Sequence, residues 1–186
     1  MLGINSHLTY RNHGGKHLIC ENTNSLMGGR IALVGGDEFT SSAEPMDKIL
    51  LKATGLKNPS VIVIPTAAAH KNPYKAALNG VNHFSRLGAN AMAIHILNSA
   101  DSNDSKLIAH INTADLIYLT GGDPLHLLTS LRNSLFLKKI RKAVDRGAIL
   151  AGSSAGAMVL GSWMMYLGWR RALGFIPSIV ILPHHE

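Results

Sequence analysis

Residues 152–156 read Gly-Ser-Ser-Ala-Gly and match the pattern G-x-S-x-G. They follow a short apolar run over 148–151 and precede an apolar segment that begins at Ala157. In enzymes that use this pattern, the serine sits at a strained turn between a strand and a helix, where only small neighbours fit. The pattern therefore predicts that Ser154 attacks a carbonyl carbon and that the N–H of Ala155 stabilises the oxyanion. The alternative is a turn of small residues where a helix packs closely on a strand.

A serine nucleophile needs a general base, and the sequence offers ten histidines. Two of them, His184 and His185, directly follow a predicted strand over 178–182. If that strand lies beside the strand that ends before the elbow, an imidazole nitrogen reaches Ser154. No acidic residue lies between Ser154 and His184, so either Glu186 orients the imidazole or no acidic side chain does. A backbone carbonyl is the alternative.

A second glycine-rich loop, Thr-Gly-Gly-Asp at 120–123, follows another apolar run. Asp123 followed by Pro124 is typical of an N-cap and the first residue of a helix. Paired glycines permit a close approach of the backbone, so Gly122 is the candidate for a second oxyanion donor. An ordinary capped helix start is the alternative.

Six short apolar runs position these residues. Continuous apolar runs bounded by Gly or Pro are typical of strands that are buried on both faces. Helical patterns lie between most of them, which predicts an α/β fold with a mostly parallel sheet between two helical layers, a three-layer sandwich. Ligands bind beyond the carboxyl ends of such strands, where both glycine-rich loops fall. The predicted strands cover 30–34, 60–65, 91–96, 114–119, 148–151 and 178–182, and the main helical patterns cover 47–53, 73–87, 124–131 and 135–144.

The composition bounds the fold. The 186 residues are 46 % hydrophobic and 16 % charged, which excludes a wholly disordered chain and suits one domain. Residues 1–26 show neither helical nor strand periodicity, so we expect a disordered arm there. Over 27–186 we expect a single α/β hydrolytic domain, either whole or truncated at its C-terminus. No targeting segment is visible, which makes a cytoplasmic location the expectation. A single cysteine, Cys20, excludes an internal disulfide.

The net charge of +7 suits an acidic ligand without identifying one. Six of the basic residues lie over 132–146 on a helical pattern with an apolar stripe, which favours a solvated outer face over nucleic-acid binding. Arg170 and Arg171 are candidates for clamping a substrate carboxylate, with an ordinary surface pair as the alternative. No cofactor motif or metal-ligand set is found, and the longest apolar run, 157–169, is too short to cross a membrane. Its aromatic and methionine residues predict core packing, or else a surface that lines the substrate or faces a second copy in a homodimer.

Taken together, these motifs resemble the dipeptidase E and cyanophycinase family of serine peptidases, which have a class I glutamine-amidotransferase-like fold. The resemblance covers about residues 29–186. It is carried by Gly-Gly-Asp-Glu at 35–38, Leu-Thr-Gly-Gly-Asp at 119–123, Gly-Ser-Ser-Ala-Gly-Ala at 152–157, Leu-Gly-Phe-Ile-Pro at 173–177 and Pro-His at 183–184.

The resemblance implies Ser154 as nucleophile, His184 as general base, and Gly122 with Ala155 as the oxyanion hole. It also implies a small peptide substrate that contains aspartate, for which Asp123, Arg170 and Arg171 are candidate binding residues. The leading hypothesis is a serine peptidase that acts on short peptides through an acyl-enzyme. Cleavage of an aspartate–arginine polymer, as by a cyanophycinase, and a catalytically impaired binding module of the same fold are the alternatives.

Overall fold

A seven-stranded sheet forms the centre of the molecule in the computed structural model, which describes residues 8–12, 17–22 and 28–183. The strand order is β1-β2-β3-β7-β6-β4-β5, and a separate hairpin pairs β8 with β9. The strands are β1 (Leu8–Asn12), β2 (His17–Asn22), β3 (Arg30–Val34), β4 (Ser60–Ile64), β5 (Asn90–Ala93), β6 (Leu116–Leu119), β7 (Ile149–Ser153), β8 (Trp163–Met165) and β9 (Trp169–Arg171).

Five neighbouring strands, from β3 to β5 in the sheet, are parallel. Each of the five coincides with a predicted strand to within a few residues at its ends. The β6 and β7 strands are buried along their whole length, as continuous apolar runs require. All five carboxyl ends therefore meet along one edge of the sheet.

Helices cover both faces of the sheet. Alternate strand residues divide into two cores, because successive side chains of a strand point to opposite faces. On one face, α1 and α2 pack against residues such as Val63 and Tyr118. On the other, α3, α4 and α5 pack against residues such as Ile64 and Leu119. The predicted three-layer α/β fold is confirmed. The helices are α1 (Glu44–Ala53), α2 (Pro73–Arg86), α3 (Pro124–Leu131), α4 (Leu135–Asp145) and α5 (Ala155–Met158).

Local sequence sets where the longer helices begin. Asn72 accepts a hydrogen bond from the N–H of Lys75 and caps α2, with proline at the first helical position. Ser134 caps α4 in the same way through the N–H of Leu137. In α4 most of the basic side chains are exposed, as the sequence predicted. Ile140 of the apolar stripe is buried, together with Phe136 and Ala143, whereas Leu135 is 42 % exposed. Among the described residues, no helix is long and apolar enough to cross a bilayer.

Two strands lie within residues 1–26, where the lack of helical and strand periodicity predicted none. β1 and β2 form an antiparallel hairpin, and β2 pairs antiparallel with β3. Both extend the sheet beyond its parallel part.

The predicted strand over 178–182 is wrong. Both edges of β7 are taken by β3 and β6, so no further strand can pair with it. The segment instead lies against the turn after α5. The N–H of Ser162 in that turn donates to the carbonyl of Ile179, and the Ser162 hydroxyl accepts from the N–H of Ser178. A single isolated bridge joins Val180 to Trp163.

The apolar run over 157–169 is also not one buried segment. Helix α5 ends at Met158, and the chain then turns into the β8–β9 hairpin. Met164 is fully buried, whereas Trp163 is 40 % and Trp169 66 % exposed. The prediction of core packing is correct for Met164 and wrong for the two tryptophans, because the hairpin turns them outward.

Candidate active site

Loops from four adjacent strands converge at the carboxyl edge of the sheet. The N–H of Ser154, after β7, donates to the carbonyl of Val34 at the end of β3 over 2.9 Å. The N–H of Asp123, after β6, donates to the carbonyl of Ala67 after β4 over 2.8 Å. The two glycine-rich loops are thus each tied to the end of a neighbouring strand, as the parallel arrangement predicts.

Ser154 lies on a strained turn. Its φ of 48° and ψ of −109° are far from both helix and strand, and such conformations persist only where the surrounding structure enforces them. Helix α5 begins at the next residue. The sequence predicted this strand–turn–helix arrangement.

The small residues around Ser154 are a steric requirement. A Cβ on Gly152 would lie 2.4 Å from the backbone of Gly156, and a Cβ on Gly156 would lie 2.4 Å from the carbonyl oxygen of Leu119. The start of α5 therefore rests directly on the end of β6. This close approach brings the elbow next to the loop that follows β6.

The two serines of the elbow have different environments. Ser153 is fully buried, and its hydroxyl donates to Oε2 of Glu38 over 2.5 Å. Ser154 is partly exposed and occupies the strained position. A nucleophile must reach a substrate, so the geometry favours Ser154 over Ser153.

Two backbone N–H groups flank the elbow. Gly122 has a φ of +143°, and a Cβ there would lie 2.1 Å from the carbonyl oxygen of Ala67, so only glycine fits. Ala155 is the first residue of α5. Within residues 28–183, no acceptor takes either N–H. The role of these two N–H groups as oxyanion donors stays a prediction.

Asp123 is the N-cap of α3. One oxygen of its carboxyl accepts from the N–H groups of Leu125 and His126, at 2.8 and 3.0 Å. This is the capping geometry that the Asp-Pro pair predicts. The capping contacts account for Asp123 without a substrate, and its binding role stays a prediction.

Arg170 and Arg171 lie on β9, which is exposed along its length. The guanidinium of Arg171 stands over the ring of Trp163, 5.0 Å from its centroid. Nη2 of Arg170 is 3.4 Å from the carbonyl oxygen of Leu167. His184, His185 and Glu186 lie outside the described residues, so their roles stay predictions.

Titratable side chains cluster behind the elbow, and the sequence analysis gave them no role. Asp47 of α1 and His83 of α2 are in contact, with 2.8 Å between Oδ2 and Nε2. Burial raises the pKa of Asp47 to about 7, and the charges of Glu38 and Glu44 add to this. Burial also raises the pKa of the Tyr118 hydroxyl well above its usual value. Each of these residues is far from the others in sequence, so no local pattern could reveal the cluster.

Glu38 is the other residue that the sequence analysis left without a role. It follows the predicted strand over 30–34, but nothing in the local sequence distinguishes Glu38 from Asp37. The structure shows Oε1 accepting from the N–H of Gly121 over 2.8 Å while Oε2 accepts from Ser153. The carboxylate thus touches both glycine-rich loops.

A three-layer α/β fold with a serine on a strand–turn–helix elbow defines a class of hydrolase-like proteins. Within that class, the model of peptidase family S51 matches residues 31–185, and the chain belongs to this family of peptidases. The match includes both Ser154 and His184.

Individual relatives agree with this assignment. A cyanophycinase from Geminocystis herdmanii (strain PCC 6308) is 24 % identical over 168 residues, which cover 83 % of this chain and 61 % of that protein. The chain therefore spans about three fifths of that relative's length. The crystal structure of a peptidase from an acI-B1 actinobacterium is 28 % identical with a TM-score of 0.77, over 84 % of this chain and 68 % of that one.

A putative peptidase E from Listeria monocytogenes EGD-e has the same fold, with a TM-score of 0.66 and 20 % identity. The likeness covers 83 % of this chain and 78 % of that one. At this identity the likeness concerns the fold alone.

Proposed function

We propose that the chain is a serine-type peptidase in which Ser154 is the nucleophile. The observation that carries the proposal is the strained backbone of Ser154, at φ 48°, between a buried strand and the start of α5. Strain of this kind costs about 1–3 kcal/mol and is concentrated at functional sites. The burial of Ser153 leaves Ser154 as the serine that can meet a substrate.

The proposed reaction gives each of the predicted groups one role. Oγ of Ser154 bonds to the scissile carbonyl carbon, and the N–H groups of Gly122 and Ala155 stabilise the oxyanion. His184 accepts the serine proton and delivers it to the amine, which leaves as the C–N bond breaks. Water then adds to the acyl carbon, the acid product departs, and Ser154 regains its proton. Glu186 is the candidate for orienting His184.

The substrate we propose is a short peptide that contains aspartate. The net charge of +7 and the exposed arginines of β9 support an acidic substrate. The alternative is exopeptidase cleavage of an aspartate–arginine polymer, which the similarity to a cyanophycinase supports.

A panel of substrates tests the proposal. Wild type and Ser154→Ala are compared on Asp-X dipeptides, Ala-X dipeptides and the aspartate–arginine polymer, with amine release as the measurement. We expect wild type to hydrolyse one of the two aspartate-containing classes and Ser154→Ala to lose at least about 10³-fold in kcat. Equal rates for the two proteins would remove Ser154 from the mechanism.

A fluorophosphonate probe tests the nucleophile without a substrate. The serine oxygen displaces fluoride from phosphorus, so labelling is read by intact mass and located by peptide mapping. We expect a single adduct on Ser154 and none on Ser153. A wild-type chain that neither labels nor turns over any substrate would favour the catalytically impaired binding module.

A further inference from the structure

The Glu38 carboxylate joins two loops that lie far apart in the sequence. Oε2 accepts from the hydroxyl of Ser153, 115 positions away, and Oε1 accepts from the N–H of Gly121, 83 positions away. Ser153 directly precedes Ser154, and Gly121 directly precedes Gly122. One side chain therefore holds the residues next to the proposed nucleophile and the proposed oxyanion donor.

The loop that carries Glu38 is itself strained. Its neighbours on both sides, Asp37 and Phe39, have φ values of 55° and 64°, a region that side-chain-bearing residues adopt only at a cost. Each such residue costs about 1–3 kcal/mol, and the conformation persists only where the surrounding structure enforces it. The strain on both sides of Glu38 indicates that the surrounding structure holds this loop in one conformation.

Aromatic packing fixes this loop to the sheet. The ring of Phe39 lies 5.1 Å from that of Tyr118 and 6.0 Å from that of Phe84, measured between centroids. Tyr118 is a fully buried residue of β6, the strand that leads into the loop of Gly121. The backbone of Glu38 is thus anchored to the same strand whose following loop its side chain holds.

We propose that Glu38 is a positioning residue that sets the distance between Ser154 and the N–H of Gly122. The proposal rests on the function proposed above. Preorganised donors stabilise an oxyanion only when they are already in place, and a displacement of about 1 Å can cost on the order of 10²-fold in rate. Without the bridge, α5 still packs on β6, but the two loops lose the side chain that bonds to both of them.

The role of Glu38 is geometric. A negative charge beside an oxyanion opposes its formation, so a carboxylate helps here only by holding the two loops. Glutamine can make both contacts, because its amide oxygen accepts from Gly121 and its NH₂ group donates to the hydroxyl of Ser153. Alanine can make neither. The two substitutions therefore separate positioning from charge.

The experiment compares Glu38→Gln, Glu38→Ala and Ser153→Ala with wild type. We expect Glu38→Ala to lower both kcat and the rate of fluorophosphonate labelling by about 10–100-fold with KM within about twofold. Glu38→Gln should stay within about threefold of wild type in kcat, and Ser153→Ala should fall between the two. Glu44→Ala is the matched control, because among the described residues Glu44 pairs with Lys48 and Arg86 at the surface. It should leave kcat unchanged.

A double-variant cycle tests the bridge as a unit. Because Ser153 and Glu38 act through one hydrogen bond, the combined variant should lose less in kcat than the product of the two single losses. Full kcat and labelling rate in folded Glu38→Ala would overturn the proposal, as would a Glu38→Gln protein as slow as Glu38→Ala. If Glu38→Ala does not fold, an undiminished labelling rate in Ser153→Ala overturns it.

One measurement separates this proposal from the proposed function. Hydrogen exchange of the Gly121 amide reports the bridge without any catalysis, and we expect it to be faster in Glu38→Ala than in Glu38→Gln. An inert wild type with this exchange difference would refute the serine peptidase while the bridge stands. Labelling of Ser154 at equal rates in wild type and Glu38→Ala would refute the positioning role while the peptidase stands.

Discussion

Nε2 of His83 lies 2.8 Å from Oδ2 of Asp47, and both side chains are almost completely buried. Burial raises the pKa of Asp47 from 3.8 to about 7. Burial also lowers the pKa of His83 below 6.5, and the charge of the nearby Arg86 lowers it further. At pH 6 the folded protein therefore holds a proton on the Asp47 carboxyl. The unfolded chain has already released that proton.

This difference predicts how stability depends on pH. Between about pH 4 and pH 7 the folded state binds the Asp47 proton and the unfolded state does not, so the contribution of Asp47 to stability falls as pH rises. Asp47→Asn cannot titrate. We expect the free energy of unfolding of wild type, relative to Asp47→Asn, to fall across this range by up to about 1.4 kcal/mol per pH unit and to level off above it. Urea unfolding of both proteins at pH 5, 6, 7 and 8 measures this difference in the free energy of unfolding.

Glu44 provides the control for this experiment. Hydrogen bonds from Lys48 and Arg86 lower the pKa of Glu44 to about 2, so its contribution is complete above pH 4.5 and is lost only as pH falls toward 2. Glu44 is the smallest of the three causes that raise the pKa of Asp47, so the difference between wild type and Glu44→Gln should change much less from pH 5 to 8 than the difference between wild type and Asp47→Asn. A wild-type curve parallel to that of Asp47→Asn would mean that the buried carboxyl ionises at its ordinary pKa.

Gly156→Ala should destabilise the protein. The added Cβ would lie 2.4 Å from the carbonyl oxygen of Leu119, a backbone atom that cannot turn aside. We expect the free energy of unfolding to fall by about 1–3 kcal/mol or more, together with slower labelling of Ser154. Gly28→Ala is the control, because a Cβ there meets nothing within 4 Å. Chemical denaturation of both variants measures the effect, and equal stability would show that α5 moves away from β6 at little cost.

The fold could be predicted from the sequence because its signals are local. Strands such as β4 and β6 are continuous apolar runs that end in Pro or in glycine-rich loops, and Asn72, Asp123 and Ser134 cap helices with the residue types that caps require. The elbow was predictable for the same reason, since its small residues lie together in the chain.

Other features could not be predicted, because their causes lie far away in the sequence. Glu38 contacts residues 83 and 115 positions away, and no period or motif relates them. The segment over 178–182 has the composition of a strand, but β7 offers it no free edge. In β8 buried and exposed side chains alternate, with Met164 buried and Trp163 exposed. The sequence did not indicate this alternation, because both residues belong to one continuous apolar run.

Two substitutions of Asp123 distinguish a structural role of this residue from a role in substrate binding. Its carboxyl caps α3, and asparagine caps helices as well as aspartate does, so Asp123→Asn should keep the stability of wild type. Asp123→Ala should lose about 1 kcal/mol in the free energy of unfolding. If the residue serves only as a cap, KM for Asp-X dipeptides is the same in wild type and Asp123→Asn. A KM changed in Asp123→Asn at unchanged stability would assign the carboxyl to the substrate.

Substitution of Arg170 is a better test than substitution of Arg171 of whether β9 binds an acidic substrate. The guanidinium of Arg171 stacks over the ring of Trp163, so its removal would disturb the packing of the hairpin as well as the charge. Arg170 makes only a long contact with the carbonyl of Leu167. If its guanidinium binds a substrate carboxylate, Arg170→Ala should raise KM for Asp-X dipeptides by about three- to tenfold and leave kcat unchanged.

Two comparisons make the result specific to that contact. KM for Ala-X dipeptides should change by less than about twofold in Arg170→Ala, because these substrates lack the side-chain carboxylate. Arg146→Ala removes the same charge just before β7, at the opposite edge of the sheet, and should leave KM for Asp-X dipeptides unchanged. A similar rise in KM for both arginine variants would mean that the net positive charge attracts acidic substrates from a distance. In that case raising the salt concentration should abolish the effect in both, whereas a direct contact, which is much shorter than the screening length, should keep part of it.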